Sequence, residues 1–149
     1  MNPTTIIKEI LDSLGASYTG IEESEVAGQR VYAIATDNGQ QLIGPRGETV
    51  RALDFLIKRI AEKRGAENVH FVVDVNGYQV KQIRDIETRA KMMAERAKSF
   101  EYDVEMPPMS AYERLIVHAT LSEIPGITTE SQGEGRDRRV IIRYSKEGV

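Results

Sequence analysis

The chain has 149 residues, 40% of them hydrophobic and 29% charged, with no cysteine and a formal net charge of -3. That balance is typical of a globular domain, and the missing thiols exclude a disulfide framework, a thiolate metal site and a cysteine nucleophile. Residues 1–77 carry 8 Lys and Arg against 11 Asp and Glu, and residues 78–149 carry 12 against 12, so any contact with a polyanion has to be local.

The first fifteen residues place Lys8, Glu9 and Asp12 where a secretory signal needs an unbroken apolar core, and no later stretch reaches membrane-spanning length. The expectation is a cytoplasmic protein without direct membrane insertion. Ile6, Ile7, Ile10, Leu11 and Leu14 recur at helical spacing and stop at Gly15, which predicts an opening helix. Two strands follow, "SYTGIEESEV" and "QRVYAIAT", turned by Ala27-Gly28. The alternation of Val31, Ala33 and Ala35 with Tyr32, Ile34 and Thr36 predicts a hairpin covered on one face. After Asp37-Asn38-Gly39, "QQLIG" is long enough for one or two helical turns. Beyond the next glycine, Val50, Leu53, Ile57 and Ile60 step by three and four along an amphipathic helix that ends at Arg64-Gly65. "NVHFVVDVNGY" reads as a strand closing the first unit.

The second half opens on a long helix marked by Ile83, Ile86, Ala90, Met93 and Ala97, with Asp85/Arg89 and Glu87/Lys91 at i, i+4 on its solvated side. "YDVEMPP" predicts a strand running into a proline stop. Ser110 is the expected N-cap of "AYERLIVHATLSEI", with Glu113 at the third helical position and Pro125-Gly126 as terminator. "GITTES" and "RRVIIRY" then read as two strands joined by the charged, glycine-rich turn "QGEGRD". The fold class is therefore α+β in two small domains, residues 1–77 and 78–149.

Chemistry concentrates in two short stretches. "LIGPRG" puts Gly44 and Gly47 three apart at the mouth of a helix, where unpaired backbone N–H groups and a partial positive charge favour an anion. Two glycines let a sugar-phosphate strand approach the main chain, and Arg46 adds a charge. The same spacing also suits a plain helix-to-helix turn. In the second half Arg114 and His118 stand at i, i+4 and project from one helix face, where a guanidinium can grip phosphate and an imidazole can donate to it or stack on a base. The plainer reading is an unrelated pair whose histidine is satisfied by a nearby carbonyl. His70 and Asp74, placed on one side of a predicted strand, form a pair that can act as base and orienter, although a structural role is the simpler account. Two histidines and no paired ligand motif give little support to a metal site, and neither a P-loop nor a Rossmann fingerprint occurs. No catalysis and no cofactor are expected.

The run of elements around "LIGPRGETVRALDFLIKRI" resembles a KH domain of type II, with the order αββααβ and a three-stranded sheet carrying helices on one face. That resemblance implies a groove for about four unpaired nucleotides. It assigns RNA-binding roles to Ile43, Gly44, Pro45, Arg46, Gly47 and Arg51, with Pro45 withholding one N–H that could have met a phosphate. "PPMSAYERLIVHATL", followed by "PGITTESQGEGRDRRVII", resembles the Arg-x-x-x-His domain, a small sheet packed on helices and associated with single-stranded nucleic acid. It implies a second track through Arg114 and His118, extended by Arg139 and Arg143. The tandem is similar to the C-terminal part of the Jag family, also called KhpB or SpoIIIJ-associated proteins; Leu115 stands where members commonly have another arginine, and the family's small N-terminal domain lies outside the resemblance. What the family implies is a non-catalytic regulator that binds single-stranded RNA, or single-stranded DNA, and is linked to cell elongation and division. The alternative is an adaptor joined to a KH-only partner (KhpA-like) or to a second copy in a homodimer, with RNA secondary.

Overall fold

The computed structural model describes residues 2–146, which form two compact units divided between Lys81 and Gln82. The first begins with α1 (Pro3–Ser13), where Pro3 sits at the first helical position with its φ preset for the helix, and the Asn2 side chain caps the start by accepting from Thr4 N–H at 2.9 Å. α1 buries Ile6, Ile7 and Leu11, whereas Leu14, expected on the same stripe, is 62% exposed because the helix ends before it. β1 (Gly20–Val26) and β2 (Gln29–Ala35) form the expected hairpin, and β2 pairs in parallel with β3 (Phe71–Val75), giving the order β1-β2-β3. A parallel partner needs a crossover, here α2 (Gly39–Ile43), a 3-10 turn at Pro45–Gly47, and α3 (Glu48–Lys63).

One face of the sheet meets the helices. Tyr32, Ile34, Phe71, Val73 and Val75 pack with Ile6, Ile7 and Leu11 of α1 and Val50, Leu53, Ile57 and Ala61 of α3, and the Tyr32 and Phe71 rings meet edge-on at 5.4 Å. The hairpin was expected to be covered on one face only; Val31 and Val72, register partners pointing the other way, are also buried, as is common in a parallel strand pair. β3 is an edge strand, and its Val73 N–H is taken by the Asp54 carboxylate of α3 at 2.8 Å, which blunts that edge. Asp54 also holds Lys58 at 2.8 Å.

α4 (Tyr78–Phe100) starts in the first unit and continues into the second. Its first turn is capped by the buried Asp74, whose carboxylate accepts from Gly77 N–H at 2.8 Å and Gln79 N–H at 2.5 Å. In the second unit β4 (Val104–Glu105), β5 (Ile127–Gln132) and β6 (Arg139–Tyr144) form an antiparallel sheet in the order β4-β6-β5. α5 (Ala111–Leu121) packs on β5 and β6 and buries Ile116, Val117 and Leu121. The predicted cap is present in full: Ser110 Oγ accepts from Glu113 N–H at 3.2 Å, and the Glu113 carboxylate accepts from Ser110 N–H at 3.3 Å. Central β6 buries Val140, Ile141 and Ile142.

Candidate nucleic-acid interface

The glycine turn is tighter than its sequence implies. Gly44 and Gly47 both hold positive φ, +73° and +77°, and Arg46 between them sits at +55°, in the left-handed region. A Cβ at 47 would fall 2.7 Å from the Tyr78 ring carbon Cζ, and one at 44 would fall 2.8 Å from Thr49 Cβ and 2.9 Å from Thr49 N. The glycines are therefore required by their own neighbours. Their amides are engaged as well: Gly44 N–H donates to Gln40 O at 2.9 Å and Gly47 N–H to Gly44 O at 3.2 Å. The expectation of bare amides between the two glycines is corrected accordingly, because Gly47 is buried and only Pro45 and Arg46 stand exposed at the tip. Arg51 turns back across the loop, donating to Arg46 O at 2.8 Å.

Beside the turn lies a shallow groove of about 590 Å³ lined by Asp37, Gly39, Gln40, Ile43, Gly44 and Asn76. Of the residues expected here, Ile43 and Gly44 line it, Arg46 and Arg51 stand at the turn next to it, and Gly47 is packed away under Tyr78. Asp37 and Gln40, three residues apart, showed no groove in the sequence because its other side chain, Asn76, is brought beside them only by the pairing of β2 with β3.

In the second unit the Arg114 guanidinium donates to Met109 O at 2.8 Å and so is held against the N-terminal end of its own helix. His118, one turn on, faces β5: Nδ1 lies 2.7 Å from Thr129 Oγ1 and Nε2 3.0 Å from Ser131 Oγ. Thr129 and Ser131 share a strand face by the alternation of β5. Burial pushes the imidazole below its ordinary pKa, and the nearby Arg114 charge pushes the same way. The charged form of His118 is thus disfavoured, both ring nitrogens lie at hydrogen-bond distance from a hydroxyl, and Arg114 and His118 have different partners.

Arg139 and Arg143 are already paired with carboxylates. Arg139 Nε meets Glu105 Oε1 and its Nη1 donates to Asp137 O at 3.1 Å. Arg143 is shared between Glu130, at 2.8 Å from Nε, and Asp103, at 2.9 Å from Nη1. Hydrogen bonds from Arg143, then Gln132, hold the Glu130 carboxyl below the usual carboxylate range. The available positive charge lies elsewhere. A groove of about 660 Å³ at the start of α5 is lined by Pro108, Met109, Ser110, Ala111, Arg114, Gly135, Arg136 and Arg138. Arg138 is braced by Gly133 O at 2.8 Å, and Arg114, Arg136 and Arg138 have no carboxylate partner among the described residues.

His70 and Asp74 do not form a pair, in line with the structural role favoured for them. His70 is exposed and precedes β3, with its N–H on Asn68 Oδ1 at 2.8 Å, while Asp74 is engaged in capping α4. Among the described residues no cluster of three or more His, Cys, Asp or Glu is placed to hold a metal ion, and no helix is long and apolar enough to cross a membrane.

Residues 84–144 match the family model of the Arg-x-x-x-His domain. The match takes in Arg114, His118, Arg136 and Arg138, and with them the whole arginine groove from Pro108 to Arg138. Among curated proteins the chain is similar to the RNA-binding protein KhpB of Clostridium symbiosum, 28% identical over 142 residues, and of Bacillus subtilis, 28% identical over 134 residues. These alignments cover 95% and 89% of the chain and 64% of each relative. The KhpB of Lactiplantibacillus plantarum is 30% identical over 121 residues, 80% of the chain and 38% of that protein. The chain thus spans less than two thirds of the length of the curated relatives it matches.

Proposed function

We propose that the chain is a non-catalytic protein that binds single-stranded RNA through both units. The observation that carries this reading is the groove of Arg114, Arg136 and Arg138: in a chain of net negative charge, it gathers arginines whose partners are backbone carbonyls or none, leaving their charge for phosphate. The Arg-x-x-x-His domain match and the RNA-binding relatives support the same conclusion. In the first unit the order αββααβ around Gly44–Gly47 supports a type II KH domain, with Ile43 and Gly44 lining the groove and Arg46 at its rim. The loop would then contact RNA through its exposed tip, not through the glycine amides. Arg139 and Arg143 hold the second sheet's strands, and the phosphate contact passes to the turn that precedes them.

Titration of an unstructured RNA oligonucleotide by fluorescence anisotropy at several salt concentrations tests this reading. Neutralising roughly three to five phosphates gives a log-log salt slope of about 2 to 3.5 in magnitude. A salt-independent affinity, or none, would reject it, and cleavage of the RNA by the pure protein would reject the non-catalytic part.

A second reading is favoured by α3, where Phe55 and Leu56 are 65% and 45% exposed and Arg59 lies over the Phe55 ring at 6.0 Å. Such a face suits a homodimer or a KH-only partner, and an adaptor built this way would fit the proposed link to cell elongation and division. Sedimentation of the pure chain, alone and after Phe55→Glu, separates the two: a dimer that dissociates in the variant and takes RNA binding with it favours the adaptor.

A further inference from the structure

We infer that the groove beside the glycine turn selects guanine, through the Asp37 carboxylate and the Gln40 amide. This selection presupposes the RNA-binding reading proposed above and adds to it a base preference. The groove has a volume of about 590 Å³, within the ~300–1,000 Å³ of small-ligand clefts, which is room for a nucleobase. No Lys or Arg lines it, and Asp37 gives it a negative charge that repels phosphate. The strand must therefore turn a base into the groove and its backbone toward Arg46, exposed at the rim.

Asp37 and Gln40 are exposed, and neither side chain has a partner among the described residues. Asn76 is not free to adapt: its Oδ1 accepts from Thr36 N–H at 3.0 Å and its Nδ2 donates to Thr36 O at 2.9 Å, fixing it to the end of β2. The recognition chemistry thus falls to an acceptor-only carboxylate and an amide that can donate. Guanine alone among the four bases presents two adjacent donors, N1–H and N2–H, which match the two carboxylate oxygens, and beside them O6, which the Gln40 amide can meet. Adenine and cytosine offer one donor each on that edge. Uracil offers N3–H between two carbonyl oxygens, both repelled by the carboxylate.

The test compares U8 with octamers carrying one central G, A or C, bound to the full chain at fixed salt. A bidentate contact of this kind discriminates by about tenfold. The single-G octamer is expected to bind about tenfold tighter than U8, with A and C between them. Asp37→Asn should level the series by weakening the G octamer and strengthening U8, at an unchanged melting temperature. In amide NMR spectra the G octamer should shift Gly39, Gln40 and Gly44 more than U8 does. Equal binding of all four octamers by the wild-type chain overturns the inference while leaving the RNA-binding reading intact, and so does a guanine preference that survives in Asp37→Asn. Absence of binding to every octamer rejects both.

Discussion

The glycine turn of the first unit and the arginine groove of the second, both proposed to meet a sugar-phosphate strand, differ in what is left over after folding. In the turn, the amides of Gly44 and Gly47 are bonded to Gln40 O and Gly44 O, and the glycines themselves admit Thr49 and Tyr78. In the groove, guanidinium groups bonded to Met109 O and Gly133 O keep their net charge, because a backbone carbonyl orients a cation without neutralising it. Arg139 and Arg143 make the point from the other side: equally cationic by sequence, they are matched by Glu105, Glu130 and Asp103. Counting positive residues says little about a binding surface until their partners are known.

The sharpest way to break the comparison is at Gly47. Alanine there meets both a positive φ and the Tyr78 ring, and the combined strain and overpacking should cost about 2–4 kcal/mol in the first unit. Urea denaturation would show it, and Tyr78→Ala in the same chain should return part of the loss as a coupling between neighbours. A Gly47→Ala variant as stable as the wild type would mean that the ring moves aside easily and that the turn is more open than described. It also follows that replacing both glycines by Asp would lower RNA binding partly by disturbing the fold, so stability has to be measured beside affinity.

Next in size is the effect of charge. Replacing Arg114, Arg136 and Arg138 together by Ala should lower the salt slope by about 2, at about 0.7 per phosphate contact, and weaken RNA binding most at low salt. The double variant Arg139→Ala, Arg143→Ala should leave the slope close to that of the wild type. The reverse ranking, with the larger slope change in the double variant, would show that RNA displaces Glu105 and Glu130 and would return the contact to β6.

What the sequence revealed and what it hid follow from the range of the interactions involved. Local signals were sufficient for the isoleucine stripe of α1, for the Ser110–Glu113 capping box, and for the alternating strands that became β2 and β6, whereas the Asn2 cap and Pro3 at the start of α1 were not read. The "QGEGRD" segment was legible as a turn, but Arg136 and Arg138 were not legible as groove residues, since facing Arg114 depends on how β5 and β6 fold back beside α5. Likewise i, i+4 spacing placed Arg114 and His118 on one helix face without showing that Thr129 and Ser131, eleven and thirteen residues on, would take the imidazole. The alternation of Ile127, Thr129 and Ser131 was a usable signal for that, because it sets two hydroxyls on the strand face that carries a buried isoleucine.

A smaller effect is expected at the cap. Ser110→Ala removes the side-chain half of the box that starts α5 and should cost about 1 kcal/mol, read as a lower unfolding midpoint. Because Ser110 lines the arginine groove without bringing a charge to it, RNA affinity in this variant should fall less than on replacing Arg114, Arg136 or Arg138; a larger fall would mean that the cap positions the groove.

The smallest effect, and the one that tests the neutral imidazole, is a pH dependence. Burial and the Arg114 charge lower the folded-state pKa of His118 from its ordinary 6.5, so the folded state binds this proton less readily than the unfolded one. The stabilisation is present above about pH 6.5 and is lost as the pH falls through the lower folded value, where protonating the ring sets a second cation beside Arg114. Urea midpoints at pH 7.5 and 5.5 should therefore differ more in the wild-type chain than in His118→Gln, where no proton is taken up at this position. Equal differences in the two chains would mean that Thr129 and Ser131 hold the charged ring as well as the neutral one, and His118 would then be free to add its charge to the groove.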